Sequence, residues 1–158
     1  MKKKFKLHHV GYIVDNIEEA VDHFKAFYGV EDFSFYDFVP SRVWSYGKEV
    51  GGYHLKIAMS MAKDGEAGIE LIQPISGEGV HTDFLKEGKG GMHHVCIAVD
   101  ARDYEEYRRD FINQGYVFLF ESETEDEVIG YRRCFYAKDS DVEMIMEVKE
   151  NPYFRNKE

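Results

Sequence analysis

The chain has few cysteines and no pattern that would pair them. Cys96 and Cys134 are far apart, and each lies in an apolar stretch typical of a β-strand. Small disulfide-rich domains contain an even number of cysteines, usually four or more. Thioredoxin-like and zinc-ribbon sites need a Cys-x-x-Cys pair. We therefore interpret both residues as buried, reduced thiols.

Long apolar runs and positive charge are also scarce. No apolar run approaches the roughly 20 residues that a membrane-spanning helix needs. The basic start, Met1–Lys6, lacks the apolar stretch of a secretory signal. The formal net charge is −10, whereas nucleic acids and anionic membranes bind basic surfaces. We expect a cytoplasmic protein with a solvated N-terminal arm and with neither nucleic acid nor membrane as a partner.

The sequence does contain a repeated phrase. Residues 8–15 read HHVGYIVD and residues 93–100 read HHVCIAVD. Each copy leads into a helix-like stretch, and each half later has an apolar segment with a glutamate, IELI at 69–72 and MIME at 144–147. A short βαβββ module cannot bury both faces of its own sheet. The repeat therefore predicts two modules that share one core.

The predicted elements follow the same order in both halves. Each half starts with a strand, continues with an amphipathic helix and ends with about three strands. Capping boxes begin the helices, Asp15 with Glu18 and Asp103 with Glu106. We expect the α+β class, with two tandem βαβββ modules forming a curved, partly closed mixed sheet around a central cleft. The predicted divisions are a first module at 1–74, a linker with a short helix at 75–91, a second module at 92–150 and a tail at 151–158; the predicted strands lie near 6–14, 33–39, 42–47, 53–60, 68–73, 92–99, 116–121, 130–137 and 142–149.

Strand alternation separates the two histidines of each repeated phrase. Neighbouring side chains of a strand point to opposite faces, so His9 and His94 lie on one face and His8 and His93 on the other. Bulky aliphatic neighbours predict that His8 and His93 face a helix or solvent. The neighbours of His9 and His94 are small and leave room for a group that is not protein; they are Gly11, Cys96 and Ala98.

The same alternation brings two glutamates to the face of His9 and His94. Glu70 alternates with apolar residues, and Glu147 does so within 142–148, where Val142, Met144, Met146 and Val148 form the helix-facing set. Carboxylates on an enclosed face are unfavourable unless a proton or a cation neutralises them. Two imidazoles and two carboxylates neutralise one divalent ion and suit zinc, nickel, cobalt, manganese or iron. The predicted ligands are His9, Glu70, His94 and Glu147; taken singly, each is also compatible with an ordinary polar strand residue.

Four stretches that span both halves resemble the vicinal oxygen chelate superfamily, which includes glyoxalase I, methylmalonyl-CoA epimerase, extradiol dioxygenases and bleomycin-resistance proteins. The stretches are HHVGYIVDNIEEAVDHF, IELIQP, GGMHHVCIAVD and CFYAKDSDVEMIMEV. In that family the metal ligands lie on the first and last strands of each module, which match His9, Glu70, His94 and Glu147. Many members have Asp-Pro-Asp-Gly before the last strand, where this chain has Asp-Ser-Asp-Val at 139–142. A slip there would transfer the last role to Glu143.

The resemblance also implies a reaction. A fourth donor, Glu70, is more like the isomerase, lyase and epimerase branch than the dioxygenases, and it implies proton abstraction next to a carbonyl through a metal-stabilised enolate. Glu147 is the first candidate for a ligand with base character, and Glu70 is the second. Epimerases look as though they have a further base near a turn before the third strand. Glu49 lies at about that place and is a third acid/base candidate, with an exposed turn residue as the other interpretation.

The substrate and partners follow from the same resemblance. The methylmalonyl-CoA epimerase branch fits the length and the repeated segments best, which implies an acyl-CoA or another thioester or oxyacid. The alternatives are a glyoxalase I-type lactoylglutathione lyase and, in a different class, a non-catalytic small-molecule binding protein of the resistance type. Members of this family often associate, so we expect a homodimer, and the aromatic residues of 33–46 would form core, dimer contact or pocket. Candidate contacts for CoA phosphates are Lys48, Lys56, Arg132 and Arg133.

Overall fold

The computed structural model describes residues 6–61, 65–88, 90–127 and 130–151. Nearly all of the predicted basic arm and of the predicted tail lie outside these residues. Within the described ranges, one ten-stranded mixed sheet carries three helices. In chain order the elements are β1 Leu7–Ile13, α1 Ile17–Tyr28, β2 Ser34–Phe38, β3 Arg42–Ser45, β4 Lys48–Val50, β5 His54–Ser60, β6 Gly68–Ser76, α2 Val80–Glu87, β7 Gly91–Val99, α3 Tyr104–Asn113, β8 Val117–Asp126, β9 Gly130–Asp139 and β10 Met144–Glu150.

The sheet consists of two copies of one four-strand arrangement, joined at the centre. Its strand order is β2-β5-β6-β1-β7-β10-β9-β8-β3-β4. The first strand of each half pairs in parallel with the last strand of that half, β1 with β6 and β7 with β10. The two first strands, β1 and β7, pair antiparallel with each other. The predicted α+β class with tandem modules and a curved mixed sheet is confirmed.

The hairpin β3–β4 leaves its own half of the chain. The sequence predicts a single strand near 42–47 in the first module, but β3 pairs with β8 of the second half and β4 folds back on β3. Only residues 39–41 connect β2, at one edge of the sheet, to this hairpin at the other edge. The hairpin therefore covers the open edge of β8, which would otherwise present unpaired backbone groups, and it brings the two edges of the curved sheet together.

The helices cover the sheet on its outer face and at one end. Ile17 and Val21 of α1 pack on Ala58 and Leu71, and α3 packs through Tyr104 on the second half. The short helix predicted in the linker is α2, and its Val80 joins the core inside the curved sheet. None of the helices in the described ranges is long and apolar enough to cross a membrane. The buried members of the inner core are Ile13, Val43, Tyr53, Leu55, Ile57, Ile72, Val80, Phe120 and Tyr136.

The predicted capping boxes are wrong, although both helices begin close to the predicted residues. Asn16, and not Asp15, caps α1, and its side chain accepts a hydrogen bond of 3.0 Å from the backbone N–H of Glu19. Asp103 does occupy the N-cap position of α3, but its backbone is helical and its side chain makes no capping bond. An N-cap residue needs an extended backbone to direct its side chain at the first-turn N–H groups.

Candidate metal centre

The four predicted ligands meet on the concave face at the centre of the sheet. His9 lies on β1, Glu70 on β6, His94 on β7 and Glu147 on β10. These four strands are neighbours in the sheet, and all four side chains are buried. Because the two halves share one strand order and meet at β1 and β7, the residues of the sequence repeat form one cluster. We call it the quartet (His9, Glu70, His94 and Glu147).

The distances within the quartet fit a divalent ion. The potential ligand atoms all lie within 4.8 Å of one another. Nε2 of His9 is 3.4 Å from Oε1 of Glu70 and 3.1 Å from Oε2 of Glu147, and Nε2 of His94 is 3.3 Å and 3.2 Å from the same two oxygens. Metal–ligand bonds of about 2.1 Å place neighbouring donors about 3.0 Å apart in an octahedron and about 3.4 Å apart in a tetrahedron. The four separations fall within that interval.

One nitrogen of the quartet lacks a hydrogen bond despite its polar surroundings. Nε2 of His94 is buried close to both carboxylates, yet the angles do not suit a hydrogen bond, and it has no such partner in the described ranges. Buried polar atoms are nearly always satisfied. Close approach of a nitrogen to two oxygens without a hydrogen bond is the arrangement expected of ligands to a common ion.

The charges of the quartet depend on one another. Burial alone would lower the pKa of His9, but the charge of Glu70 and hydrogen bonds with Cys96 and Glu147 raise the pKa above its ordinary 6.5. Burial would raise the pKa of Glu70, but the charge of His9 and the close approach of both imidazoles hold it below 4.5. The pKa of Glu147 is lowered and that of His94 is raised by the same contacts, again against burial. Without a metal, the imidazoles and the carboxylates thus each favour the charged form of the other.

Gly11 makes space for the ring of His94. In the register of β1 and β7 these two residues are opposite each other. A Cβ atom at position 11 would lie 2.1 Å from Cε1 and 2.2 Å from Nε2 of His94, far inside van der Waals contact. The small neighbour predicted from strand alternation is therefore required at this position, because any side chain would displace a member of the quartet.

The structure does not bring Glu143 to the quartet. The last strand begins at Met144, and Glu143 precedes it in a left-handed backbone conformation with φ of 56°. Its carboxylate is 2.6 Å from Nζ of Lys138, and the side chain is 71% exposed. Val142, which we predicted to face a helix, is exposed for the same reason. The different loop before this strand therefore does not shift the register of Glu147.

Glu49 also lies apart from the quartet. On the hairpin it is opposite Trp44, whereas the alternating Val43 and Ser45 point inward and are buried. Its carboxylate accepts two hydrogen bonds from Arg42, of 3.0 Å and 3.2 Å, and these lower the pKa of Glu49. Because the hairpin β3–β4 pairs with β8, Glu49 lies on the outer face, and we do not retain it as an acid/base candidate.

Of the cations considered for phosphate contacts, Arg132 has the most suitable place. Lys56 is paired with Glu18, and Arg133 is paired with Glu150 at 2.6 Å and with Glu105. Arg132 makes no ion pair in the ranges that the structure describes, and its pairing with Thr124 places it on the inner face with Cys134 and Tyr136. Lys48 lies on β4, away from the quartet strands.

The phenol of Tyr36 is influenced by the charges of both the quartet and Arg132. Its partner across β2 and β5 is Ile57, a residue of the inner core. Burial raises the pKa of the Tyr36 phenol, the charges of Glu70 and Glu147 raise it further, and the charge of Arg132 opposes this. The residue is 41% exposed on the edge strand β2, so a neutral hydroxyl-bearing ring is open to solvent there.

A hydrogen-bonded chain that the sequence pattern does not predict lies beside the quartet. The buried imidazole of His81 bonds the hydroxyl of Tyr53 through Nδ1 at 2.6 Å and the hydroxyl of Tyr136 through Nε2 at 3.0 Å. The ring of Tyr136 lies 4.8 Å from that of His94. Tyr136 is directly opposite Glu147 on β9 and β10, so strand alternation could have found it. Strand alternation does not identify His81 or Tyr53, because α2, which carries His81, meets Tyr53 only in the tertiary fold.

Three histidines around the quartet are held neutral. Burial lowers the pKa of His8 to about 4, that of His81 to about 3 and that of His93 to about 2. The charge of Lys149 adds to the effect on His8, and the charge of His94 adds to it on the other two. Each of these rings therefore has one donor and one acceptor nitrogen at neutral pH.

The model of the glyoxalase/bleomycin resistance protein/dioxygenase superfamily matches residues 8–135. The chain belongs to this superfamily. The match includes three members of the quartet and ends before β10, and it confirms the family resemblance that the repeated motifs indicate.

Individual relatives include enzymes of two kinds. Mitochondrial methylmalonyl-CoA epimerase from Bos taurus is 30% identical over 96 residues, which are 60% of this chain and 47% of the bovine protein. Methylmalonyl-CoA epimerase from Streptomyces coelicolor, solved with 2-nitronate-propionyl-CoA, has a TM-score of 0.63 at 16% identity and covers 94% of this chain and 99% of its own. 4-Hydroxymandelate synthase from Streptomyces coelicolor has a TM-score of 0.59 at 17% identity, covering 91% of this chain and 48% of its own. The structural similarities show the fold, and that fold carries more than one activity.

Proposed function

We propose that the protein is a divalent-metal-dependent epimerase or isomerase that removes a proton next to the carbonyl of an acyl-CoA or a related thioester. The observation that carries the proposal is the quartet, with two imidazole nitrogens and two carboxylates within 4.8 Å of one another on the concave face. The partial match to bovine methylmalonyl-CoA epimerase supports the choice of substrate class.

The quartet would hold the ion through Nε2 of both imidazoles and one oxygen of each carboxylate. When bound, the ion supplies positive charge that offsets the negative charge developing on a carbonyl oxygen as the neighbouring proton leaves. The side chains of the quartet are between 0% and 9% exposed. Charge interactions are stronger in such an enclosed site than in water, so the burial of these residues serves the reaction.

The carboxylates of the quartet supply the base. Glu147 is our first candidate and Glu70 the second, as the sequence suggests. In the metal-free protein the neighbouring imidazoles hold the pKa of each below the ordinary 4.5. In the loaded enzyme the ion would keep both ionised, and either could accept a proton. Their common place on the concave face lets one carboxylate remove the proton and the same or the other return it.

Arg132 and Tyr36 would orient an anionic substrate. Arg132 presents a guanidinium to the inner face without an ion-pair partner in the described ranges, and guanidinium groups bind carboxylate and phosphate in a bidentate manner. The charges of Arg132 and of the quartet carboxylates both act on the phenol of Tyr36, so a substrate held by Arg132 and the quartet would be near this hydroxyl. This arrangement suits a substrate with an anionic group a short distance from its reacting carbonyl.

Proton exchange tests the proposal. Metal-loaded protein should exchange the α-proton of methylmalonyl-CoA for deuterium in heavy water, followed by NMR. His94→Ala should abolish the exchange, and the matched control His23→Ala, at an exposed residue of α1, should retain it. No exchange, with turnover of methylglyoxal and glutathione instead, would replace the proposal with a glyoxalase. Neither activity in a protein that binds small molecules without metal would replace it with a binding protein.

Location and assembly stay predictions. Residence in the cytoplasm can be tested by cell fractionation. The expected homodimer can be tested by light scattering, where twice the mass of the chain would support it and the mass of a single chain would contradict it.

A further inference from the structure

Each imidazole of the quartet touches the histidine that precedes it in sequence. Nδ1 of His8 is 2.8 Å from Nδ1 of His9, and Nδ1 of His93 is 3.0 Å from Nδ1 of His94. The rings meet edge to face at 76° in the first pair and at 84° in the second. The same contact therefore occurs once in each half of the fold, at the two equivalent positions of the repeat.

The direction of these hydrogen bonds follows from the place of the other ring nitrogen. Nε2 of His9 and Nε2 of His94 both face the carboxylates of the quartet. A nitrogen that binds a metal uses its lone pair, so the proton of a neutral ligand imidazole must be on the other nitrogen. That proton is on Nδ1, and the atom in position to accept it is Nδ1 of the preceding histidine.

We propose that His8 and His93 are positioning residues that accept the Nδ1 proton of His9 and His94, and thereby fix the ring orientation and tautomer in which these residues bind a metal. The inference rests on the proposed function, because it assumes that the quartet binds an ion. Acceptors in this role are usually carboxylates or backbone carbonyls; here a neighbouring imidazole takes their place in both halves.

The surroundings of the two positioning residues support this role and distinguish them. His93 is 6% exposed, and its Nε2 has no hydrogen-bond partner in the described ranges. Its hydrogen bond with His94 is therefore made by Nδ1 alone and is shielded from water. The ring is held by Phe84 of α2, at 4.8 Å between centroids. Candidate ligand atoms of His8, His9 and Cys96 also lie within 4.8 Å of one another, so the thiol is a further neighbour that restrains the ring of His9. Loss of His93 should therefore weaken metal binding more than loss of His8.

Pairs of variants with nearly equal side-chain volume can test the inference. The amide oxygen of asparagine lies close to the position of histidine Nδ1 and can accept the hydrogen bond, whereas leucine has a similar shape and cannot. His93→Leu and His8→Leu should lower zinc affinity, measured by competition with a chelator, about 10- to 100-fold. His93→Asn and His8→Asn should remain close to the wild type. Melting curves of the metal-free variants check that each pair is folded alike.

The location of the proton gives a second, independent measurement. Long-range ¹H–¹⁵N spectra of the zinc-loaded wild type should show His9 and His94 protonated on Nδ1, with His8 and His93 unprotonated on Nδ1. Protons on Nε2 of His9 or His94, or equal zinc affinity in the leucine and asparagine variants, would overturn the positioning role. Two zinc ions per chain would also overturn it, because a second ion between His8, His9 and Cys96, which lie close together, would displace the Nδ1 proton. Absence of zinc from the wild type would instead refute the metal site itself.

Discussion

Replacing Gly11 with alanine removes the space that the ring of His94 occupies. The new Cβ would lie 2.1 Å from Cε1 of His94, whereas carbon atoms in contact are about 3.5 Å apart. The imidazole must therefore move by about 1.4 Å, and metal sites tolerate ligand displacements of only about 0.2 Å. Changes that merely misorient a ligand lower metal affinity about 10- to 100-fold, so we expect a loss of at least about 100-fold.

The fold should survive this substitution. Overpacking of one methyl group destabilises a protein by about 1–3 kcal/mol, so Gly11→Ala should melt at a lower temperature but still cooperatively. Gly51→Ala is the matched control, because no atom lies within 4 Å of a Cβ atom built there. Zinc affinity is measured by chelator competition, and thermal unfolding is followed by circular dichroism. Wild-type zinc affinity in Gly11→Ala would refute the placement of His94 in a metal site.

The remaining predictions concern pH, substrate binding and the base. The pKa values of the quartet imidazoles are raised by folding, so their contribution to stability is complete below pH 6.5 and is lost as the pH rises. The pKa values of His8, His81 and His93 are lowered by folding, so their contribution is lost as the pH falls below 6.5. The melting temperature of the metal-free protein should therefore peak near pH 6.5, and saturating zinc should remove the alkaline decline; a steady rise to about pH 9 would contradict this. Arg132→Ala should raise KM for an acyl-CoA about 10-fold or more with kcat little changed, and an unchanged KM would show that it does not contact the substrate. Glu147→Gln should lower kcat about 10²- to 10⁴-fold, while Glu49→Gln, exposed and paired with Arg42, should match the wild type; similar losses in both would contradict this placement of the base.

The quartet could be predicted because strand geometry is periodic. Side chains alternate with a period of two, so the sequence alone divides His9 from His8 and His94 from His93. The repeat then places the two halves in equivalent positions, and the strand order of the sheet brings the four first and last strands together. The prediction that His8 and His93 lie on the opposite face fails, because the register of β1 and β7 shifts at each of them. Their rings instead contact those of His9 and His94, and strand alternation does not report such a shift.

Other features depend on contacts that a local pattern does not contain. The hairpin β3–β4 has the composition of an ordinary hairpin, and nothing in it specifies β8 as its partner. The chain from Tyr53 through His81 to Tyr136 forms only when α2 covers one end of the sheet interior. Helix caps differ from the expected residues by one position or lack the expected bond, because the backbone at the cap is set by the preceding strand and turn.

Elemental analysis of the purified protein tests the central claim most directly. After removal of metal and reloading with zinc, the wild type should contain about one zinc ion per chain. His94→Ala should contain none, while His23→Ala, which removes an exposed imidazole, should keep the full content. A wild type without zinc, or an ion that persists in His94→Ala, would contradict the assignment of the quartet as a metal centre.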